Sequence, residues 1–531
     1  MIKNNKSGKG GASGKGNKSN LGGKSITRSK NGADGKGMKN NILFIMADQF
    51  RWDALSCCGG CADTPALDGI ARQGIRFANC VTNSPVCVPA RASLATGLYP
   101  HMLNIWKNVN YTLPPESDMW TKNIKTAGYR TCLIGKTHLH PHSVKDLRDM
   151  ECLLHAYGFD DVDEIGGPRA CVNMLSHMTE EWDKKGIWEP YRRDFADRFA
   201  NKPFITRPST LPLSEYYDVY VGRQSKRYLE TNRNDGRPWF LWMSFGGPHE
   251  PWDAPEPYAG MYRPEDMPKP IHVPASSSVP ASSSVPASVS ERAAASVQEN
   301  SFMATAGDGF GKNRPQGYLD MLLDNRRLDL ICDDIMEMRA NYAGSIKLID
   351  DQIGEVIDVI KSNDEWDNTT LVFTSDHGEM NGDFGLIYKE NFLNSALKIP
   401  LLISTPAMRA EGRTRIVSDT MVELMDVGPT LAEIAGNAIV YRQYGKSLCP
   451  LLSGSTGRHR DFAISEVHGE ICYIDATWKM MLNADGAPYM LFNLTDDPQE
   501  TKNIVINPEL KDMQCRIVQK ILKFTLNTNT M

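Results

Sequence analysis

The side chains best suited to chemistry stand directly after apolar runs of the sequence. Asp48 and Gln49 follow one such run, and Asp376 and His377 follow another. Two carboxylates and an amide supply the oxygen ligands that hard divalent cations prefer, and the imidazole widens the choice to Mn²⁺ or Zn²⁺. Each pair taken singly fits an ordinary turn or helix cap about as well. The metal prediction therefore depends on the two pairs lying together.

Two more apolar runs end in the same manner, with Lys136 and His138 after one and His249 after the other. In a mainly parallel sheet the carboxyl ends of the strands share one edge, where ligands bind. Four polar clusters at equivalent positions therefore predict a single site. The alternative is that these are surface lysines and packed loop histidines, and His140 and His142 compete with His138 for any role.

Cys87 is the cysteine whose surroundings favour reactivity. It begins a helical pattern, and Arg91 lies one turn further on. The helix dipole and the guanidinium would both lower the pKa of its thiol. The other eleven cysteines are interpreted as reduced structural thiols, because they are scattered through a long chain. Cys58 and Cys61 have CxxC spacing, which without a second pair is a weak indication of zinc.

The segment Cys87–Arg91 reads Cys-Val-Pro-Ala-Arg and resembles the C-x-P-x-R signature of type I sulfatases, in which the cysteine is oxidised to formylglycine. Further segments similar to that family run in order from about residue 41 to residue 505: Asn41–Gln49, Thr64–Asp68, Gly97–His101, Gly135–Leu139, Pro248–Pro251, Ser375–Met380 and Leu491–Ile504. The resemblance implies an α/β, alkaline-phosphatase-like fold. Such a fold has a large mixed, mainly parallel sheet sandwiched by helices and a smaller C-terminal α+β subdomain.

The resemblance also implies the residues of the site. Its metal ligands would be Asp48, Gln49, Cys87, Asp376 and His377. Its catalytic residues would be Cys87, Arg91, Lys136, His138, His249 and Lys389. Cys87, as formylglycine hydrate, would be the nucleophile.

The remaining catalytic roles follow from the same resemblance. Arg91 would orient the hydrate, and Lys136 and Lys389 would neutralise the sulfuryl oxygens. His138 would act as base when the aldehyde is reformed, and His249 as general acid at the leaving oxygen.

Two positions depart from many sulfatases, which have aspartate where Gln49 stands and asparagine where His377 stands. This combination resembles the branch containing choline sulfatases and phosphonate monoester hydrolases. Ca²⁺ is the expected metal, with Mn²⁺ or Zn²⁺ as alternatives because imidazole is a softer ligand.

The predicted function is hydrolysis of a sulfate monoester, with a small sulfated sugar as the favoured substrate and choline sulfate next. The alternatives are a phosphonate monoester or phosphodiester hydrolase on the same site and, last, a non-catalytic binding protein. A formylglycine-generating maturase is the expected partner. Aromatic and polar residues near the motifs could line a sugar pocket or could equally pack: Trp106, His140, Trp252 and Asp253.

The composition agrees with a globular enzyme. The chain has 531 residues, of which 41% are hydrophobic and 23% charged, and its net charge is −5. Residues 1–40 carry ten Lys or Arg and a single acid, which leaves a strongly acidic remainder. An acidic body argues against nucleic-acid binding. Neither a signal peptide nor a membrane-spanning stretch is visible in the sequence, so we expect a cytoplasmic enzyme that does not associate with membranes. The sequence does not predict an oligomeric state.

The elements that must position the site follow from apolar periodicity. Strands are predicted at Ile42–Ala47, Thr131–Ile134, Trp239–Phe245, Thr370–Thr374 and Leu401–Ile403, and helices at Ala66–Gln73, Ala90–Thr96, Met119–Ala127 and Met336–Ile360. The C-terminal part is predicted to hold strands at Phe462–Glu466, Trp478–Leu482 and Met490–Asn493 and a helix near Pro508–Phe524.

The predicted domains are three: a disordered basic tail over 1–40, a catalytic domain over 41–440 and the C-terminal subdomain over 441–531. The catalytic domain carries a predicted flexible Ser/Pro/Ala insertion at about 273–313.

Overall fold

A nine-stranded sheet organises the part of the chain that the structure describes. The structure is a computed structural model, and it describes residues 39–143, 145–200, 205–231, 235–271 and 332–529. The predicted disorder up to residue 38 and the predicted insertion at about 273–313 lie outside the described residues. The domain boundary at residue 440 stays a prediction.

The strands of this sheet are β1 (Asn41–Asp48), β2 (Ile75–Val81), β3 (Arg130–Gly135), β4 (Asp161–Glu164), β5 (Trp239–Pro248), β6 (Thr369–Ser375), β7 (Lys398–Ile399), β8 (Leu401–Ser404) and β9 (Ile416–Glu423). They lie in the order β4-β3-β5-β1-β6-β8-β2-β7, and β9 pairs with β2. The strands from β4 to β6 run parallel, whereas β8 is antiparallel to both β6 and β2. The predicted mixed, mainly parallel sheet is confirmed.

The central strands are buried on both faces, which explains their continuous apolar sequences. Every residue of β1, β5 and β6 is buried. Along β1, Leu43 and Ile45 belong to one hydrophobic cluster, while Phe44 and Met46 belong to a second. Alternate side chains therefore face two helical layers, and the sheet is sandwiched between them.

Helices cover both faces and supply the segment that begins at Cys87. They are α1 (Pro65–Arg72), α2 (Cys87–Thr96), α3 (Pro100–Leu103), α4 (Trp120–Thr126), α5 (Glu151–Ala156), α6 (Gly167–Ala170), α7 (His177–Lys184), α8 (Trp188–Ala200), α9 (Tyr217–Thr231), α10 (Cys332–Ser362), α11 (Asn394–Leu397), α12 (Pro406–Ala410), α13 (Val427–Ile434), α14 (Cys449–Leu452) and α15 (Lys511–Asn529). The long α10 buries Ile346, Ile349, Ile353 and Ile357, as their spacing predicts. Among the described residues, no helix is long and apolar enough to cross a membrane.

A second, smaller sheet lies in the C-terminal part. Its strands β10 (Ala463–Val467), β11 (Glu470–Ile474), β12 (Trp478–Leu482) and β13 (Pro488–Asn493) form an antiparallel meander. Ile517 and Ile521 of α15 pack in one cluster with Tyr473 and Leu491 of this sheet. The C-terminal α+β subdomain predicted from the sequence is therefore present.

Candidate active site

Four adjacent strands bring the predicted polar residues to one edge of the large sheet. Asp48 ends β1, and Asp376 follows β6 directly. Lys136 follows β3, and His249 follows β5. Because the order β3-β5-β1-β6 is parallel throughout, these four carboxyl ends meet at the same edge.

Cys87 lies in the middle of this edge, at the first residue of α2. Its Sγ is 3.0 Å from Nε2 of His377 and 3.8 Å from Oδ1 of Asp48. Burial alone would raise the pKa of the Cys87 thiol, but Lys389, His377 and Lys136 hold that pKa well below its ordinary value. The lowered pKa agrees in direction with the sequence prediction, but these three cations come from other segments, whereas the prediction named Arg91 and the helix dipole.

Four buried side chains form a set suited to a metal ion. Ligand atoms of Asp48, Cys87, Asp376 and His377 all lie within 4.8 Å of one another. His377 donates from Nδ1 to the Gly378 carbonyl oxygen at 2.9 Å, so Nε2 is the ring nitrogen that faces the cluster and would be the ligand atom. Two carboxylates and one imidazole at this spacing fit a divalent cation, and these residues would hold it.

Arg91 and Lys136 balance the charge of the two carboxylates. Arg91 donates from Nε to Asp376 Oδ2 at 2.7 Å and from Nη2 to Asp48 Oδ2 at 3.2 Å. Lys136 Nζ lies 2.5 Å from the same Asp48 oxygen. Burial and Cys87 would raise the pKa of Asp48, but Lys136, His249 and Arg91 outweigh them and hold it below its ordinary value. The Asp48 carboxylate is therefore ionised.

The backbone before Lys136 requires glycine. Gly135 has a φ of 111°, which favours glycine, and a Cβ there would collide with the carbonyl oxygen of Ser244 on β5. The Lys136 backbone N–H donates to that same oxygen at 2.9 Å. This close approach of β3 to β5 fixes the direction in which Lys136 leaves the sheet.

Gln49 connects the metal-ligand cluster to two acidic residues that the sequence did not single out. Its Nε2 donates to Glu250 Oε2 at 2.9 Å and to Glu379, while its Oε1 accepts from Lys389. Its backbone N–H donates to Asp376 Oδ1 at 3.1 Å. Both acids stand inside segments that resemble the family, but only their contact with Gln49, far away in the sequence, shows what they do.

His249 and Lys389 form a hydrogen-bonded pair beside Gln49. Lys389 Nζ lies 2.8 Å from His249 Nε2, and His249 Nδ1 lies 2.9 Å from the Glu250 carbonyl oxygen. Burial would lower the pKa of Lys389, but Cys87, Glu250 and Asp48 raise it above its ordinary value. An ammonium group only donates, so His249 accepts through Nε2 and carries its hydrogen on Nδ1.

His138 lies beside Cys87, and the two neighbouring histidines point elsewhere. Burial first, then His142, lowers the pKa of His138 to about 3, and a hydrogen bond with Cys87 acts in the opposite direction. A neutral imidazole in this place is suited to accept a proton. His140 and His142 instead contact Glu164.

Of the four residues that could line a sugar pocket or could equally pack, three are buried. Asp253 is fully buried and accepts hydrogen bonds from Tyr216 and Ser209. Trp252 and His140 are each 1% exposed. These three side chains pack inside the protein, whereas Trp106 lines an open cavity of about 460 Å³ beside the small sheet.

A comparison with protein families decides the relationship. The family model described as sulfatase matches residues 40–437, which is about three quarters of the chain. The chain belongs to the sulfatase family. A second model, described as N-sulphoglucosamine sulphohydrolase, C-terminal, matches residues 382–527 of this sulfatase.

The similarity to known relatives extends over nearly the whole of this sulfatase. The multifunctional alkaline phosphatase superfamily protein of Trinickia caryophylli is 27% identical over 92% of this chain and 96% of its own length. The choline-sulfatase of Rhizobium meliloti is 28% identical over 88% of this chain and 83% of its own length. The solved phosphonate monoester hydrolase of Agrobacterium radiobacter has a TM-score of 0.72 at 23% identity, covering 92% of this chain and 96% of that one. The fold is therefore alkaline-phosphatase-like, and the protein is a hydrolase of the sulfatase family.

Proposed function

We propose that this sulfatase hydrolyses a sulfate monoester of a sugar through a formylglycine made from Cys87. The observation that carries the proposal is the position of Cys87. Its Sγ lies between Nε2 of His377 and Oδ1 of Asp48, inside a buried group of carboxylates and cations. A cysteine thiol could attack an ester without any of the neighbouring carboxylates. A formylglycine hydrate at residue 87 must present a charged oxygen to sulfur beside a cation, and the carboxylates are needed to hold that cation.

The first step of the proposal is maturation. A formylglycine-generating enzyme, which supplies the oxidant, removes the sulfur of Cys87 and leaves an aldehyde. Water adds to the aldehyde and gives two hydroxyl groups on one carbon. A serine in this place would form a sulfate ester that only an external water could cleave, whereas the second hydroxyl makes the hydrate self-regenerating.

The second step is transfer of the sulfuryl group. One hydroxyl group of residue 87 gives up its proton to water, and its oxygen forms a bond to sulfur as the bond from sulfur to the substrate oxygen breaks. Bound in the cluster, the divalent cation supplies Lewis-acid stabilisation of the charge that develops. Lys136 and Lys389 offset negative charge on the sulfuryl oxygens, and His249, once protonated at Nε2, gives that proton to the departing oxygen.

The third step releases sulfate. His138 takes the proton of the remaining hydroxyl, the aldehyde carbonyl reforms, and the bond from carbon to the sulfate oxygen breaks. The hydrogen bond between His138 and residue 87 supports this role, because it places the ring beside the hydroxyl that must lose its proton. Arg91, fixed between Asp376 and Asp48, keeps the two carboxylates in place throughout.

A sulfated sugar is the substrate class that the comparisons favour. The family model for the C-terminal part takes its name from a sulfohydrolase of a sulfated glucosamine. A phosphonate monoester or choline sulfate is the second candidate, because the combination of Gln49 and His377 resembles that branch and relatives bear those names. The cation is proposed to be Ca²⁺, and the imidazole of His377 makes Mn²⁺ or Zn²⁺ the alternative.

Mass spectrometry and turnover together test the proposal. The Cys87 peptide of enzyme coexpressed with a maturase should lose the mass that corresponds to replacing the thiol by a carbonyl oxygen, and Cys87→Ala should abolish turnover. The matured enzyme should cleave sulfated glucosamines faster than choline sulfate or an aryl phosphonate monoester. An unmodified thiol in fully active enzyme would refute the formylglycine mechanism, and preference for the phosphonate would refute the substrate class.

A further inference from the structure

A second cluster of side chains that could bind a metal lies beside the loop that follows β3, residues 136–142, which we name the catalytic loop. His140 and His142 belong to that loop, and both meet Glu164, the last residue of β4. Their Nε2 atoms lie 2.6 Å from Glu164 Oε2 and 3.2 Å from Glu164 Oε1, respectively. The three side chains are almost fully removed from solvent, with exposed fractions of 0%, 3% and 2%.

A neutral His142 ring cannot donate to both of the acceptors that its two nitrogens face. Nδ1 lies 3.2 Å from the Gly166 carbonyl oxygen, and Nε2 lies 3.2 Å from the Glu164 carboxylate. Both partners are acceptors, but a neutral imidazole carries only one N–H. Whichever nitrogen holds the hydrogen, the other directs a lone pair at an oxygen. The Glu164 oxygen also accepts from the Thr137 hydroxyl, so it cannot turn away.

His140 has the same arrangement. Its Nδ1 lies 3.3 Å from the Pro141 carbonyl oxygen and its Nε2 faces Glu164. Two more protons or one cation would satisfy both rings. A cation between the lone pairs and the carboxylate removes both mismatches at once.

We propose that His140, His142 and Glu164 bind a zinc-class divalent cation, at a site separate from the cluster around Cys87. Two imidazoles and one carboxylate are an established zinc ligand set, with bonds of about 2.0–2.2 Å and a fourth position left for water. Ligand atoms on a tetrahedron of that size are about 3.3 Å apart, close to the 3.2 Å between His142 and Glu164. The closer His140–Glu164 contact opens when the ion enters.

The ion would position the catalytic loop. The ring of His138 stacks on that of His142, with centroids 4.6 Å apart and planes at 24°. Thr137, which precedes His138, donates to Glu164. Fixing His142 and Glu164 to one ion therefore holds Thr137 and His138 against β4. His140, His142 and Glu164 are positioning residues, because they act on the reaction through His138.

Measuring the zinc that the purified enzyme retains shows whether His140, His142 and Glu164 bind a cation or only form ion pairs with one another. Purified enzyme is loaded with zinc, dialysed against metal-free buffer and analysed by inductively coupled plasma mass spectrometry. We expect wild type to retain one more zinc ion per chain than Glu164→Gln and His142→Phe, the latter of which keeps an aromatic ring for His138 to stack on. The matched control is His101→Gln, because His101 forms a single ion pair with Glu466 at 2.8 Å. It should retain as much zinc as wild type.

Equal zinc in wild type and in the two site variants would overturn the proposal. If either variant fails to fold, X-ray absorption on a zinc-loaded Asp376→Asn enzyme gives the answer without touching the new site. In the unmatured enzyme, a retained zinc ion with two imidazole ligands and no sulfur ligand supports the proposal, since zinc in the cluster around Cys87 would have a thiolate ligand. A spectrum without two imidazoles, or no retained zinc, refutes it.

Discussion

Arg91 and Asp376 form an ion pair in which neither side chain has any exposed surface, with Nε donating to Oδ2 at 2.7 Å. The same guanidinium reaches Asp48, so one cation on α2 holds the carboxylates that end β1 and follow β6. Without it, two carboxylates would face each other in a medium of low dielectric. Arg91 is thus a structural requirement of the site as well as part of its chemistry.

Replacing Arg91 should destabilise the whole protein. Arg91→Met leaves Asp376 and Asp48 buried without the guanidinium that bridges them, and breaking a buried pair in this way typically costs about 3–5 kcal/mol. The free energy of unfolding is measured by urea denaturation. Arg458→Met is the control, because Arg458 and Asp461 are 89% and 83% exposed, and its unfolding curve should match wild type. A stable Arg91→Met protein would mean that the carboxylates take up protons instead.

A buried carboxyl beneath β5 should make stability depend on pH. Asp218 Oδ1 accepts from the N–H groups of Gly246 and Gly247 at 2.8 and 3.1 Å, while Oδ2 has no hydrogen-bond partner among the described residues. Burial raises the pKa of Asp218 from 3.8 to about 7. Because the folded pKa is raised, its stabilisation is complete below the unfolded pKa and is lost as pH rises through about 7.

Asp218→Asn tests that dependence, since asparagine keeps the acceptor and stays neutral. The variant should gain on wild type by about 1.4 kcal/mol per pH unit from pH 5 to 7 and then level off. Urea unfolding at a series of pH values measures this difference. The control is Asp358→Asn on the exposed face of α10, which should follow wild type. Parallel curves for Asp218→Asn and wild type would show that Asp218 is charged in the folded protein.

Exchanging the imidazole ligand should alter metal preference. His377→Asn replaces a nitrogen ligand with an amide oxygen, which suits a harder cation. After chelation and reconstitution, the ratio of Mn²⁺ to Ca²⁺ affinity should fall at least about tenfold, in line with the sensitivity of metal sites to ligand changes. His459→Asn is the control, since His459 contacts Asp426 at 2.9 Å outside the site. An unchanged ratio would exclude His377 as a ligand.

The edge of the sheet that carries the site was predictable because its strands are fully buried. A strand covered on both faces reads as an unbroken apolar run, so its end, and the polar residue after it, are visible in the sequence. The predicted strands at β1, β3, β5, β6 and β8 are all confirmed. The half-buried β2 alternates between buried and partly exposed residues, and β7 has two residues, so neither gives such a run.

The site residues that the sequence did not reveal are those whose contacts are with residues far away in the chain. Glu250 and Glu379 matter because both accept from Gln49, and nothing in their own neighbourhoods shows this. Likewise His140 meets Glu164 only because the short β4 pairs with β3. A four-residue strand with alternating acids carries no apolar signal. The apolar runs of the sequence therefore predicted the position of the catalytic loop, but they could not show that Glu164 of β4 contacts it.

His249 should matter most for substrates whose leaving group needs a proton. Its Nε2 is held by Lys389 at 2.8 Å and its Nδ1 by the Glu250 carbonyl oxygen, so the ring has one fixed orientation. If His249 protonates the departing oxygen, His249→Asn should lower kcat about 10²–10⁴-fold for a sugar or alkyl sulfate. It should lower kcat far less for 4-nitrophenyl sulfate, whose phenolate leaves unprotonated. Lys389→Met is the comparison, because it removes charge that both substrates need and should slow both. Steady-state kinetics of the two variants on the two substrates decides the matter: equal losses for His249→Asn would assign the ring a positioning role instead.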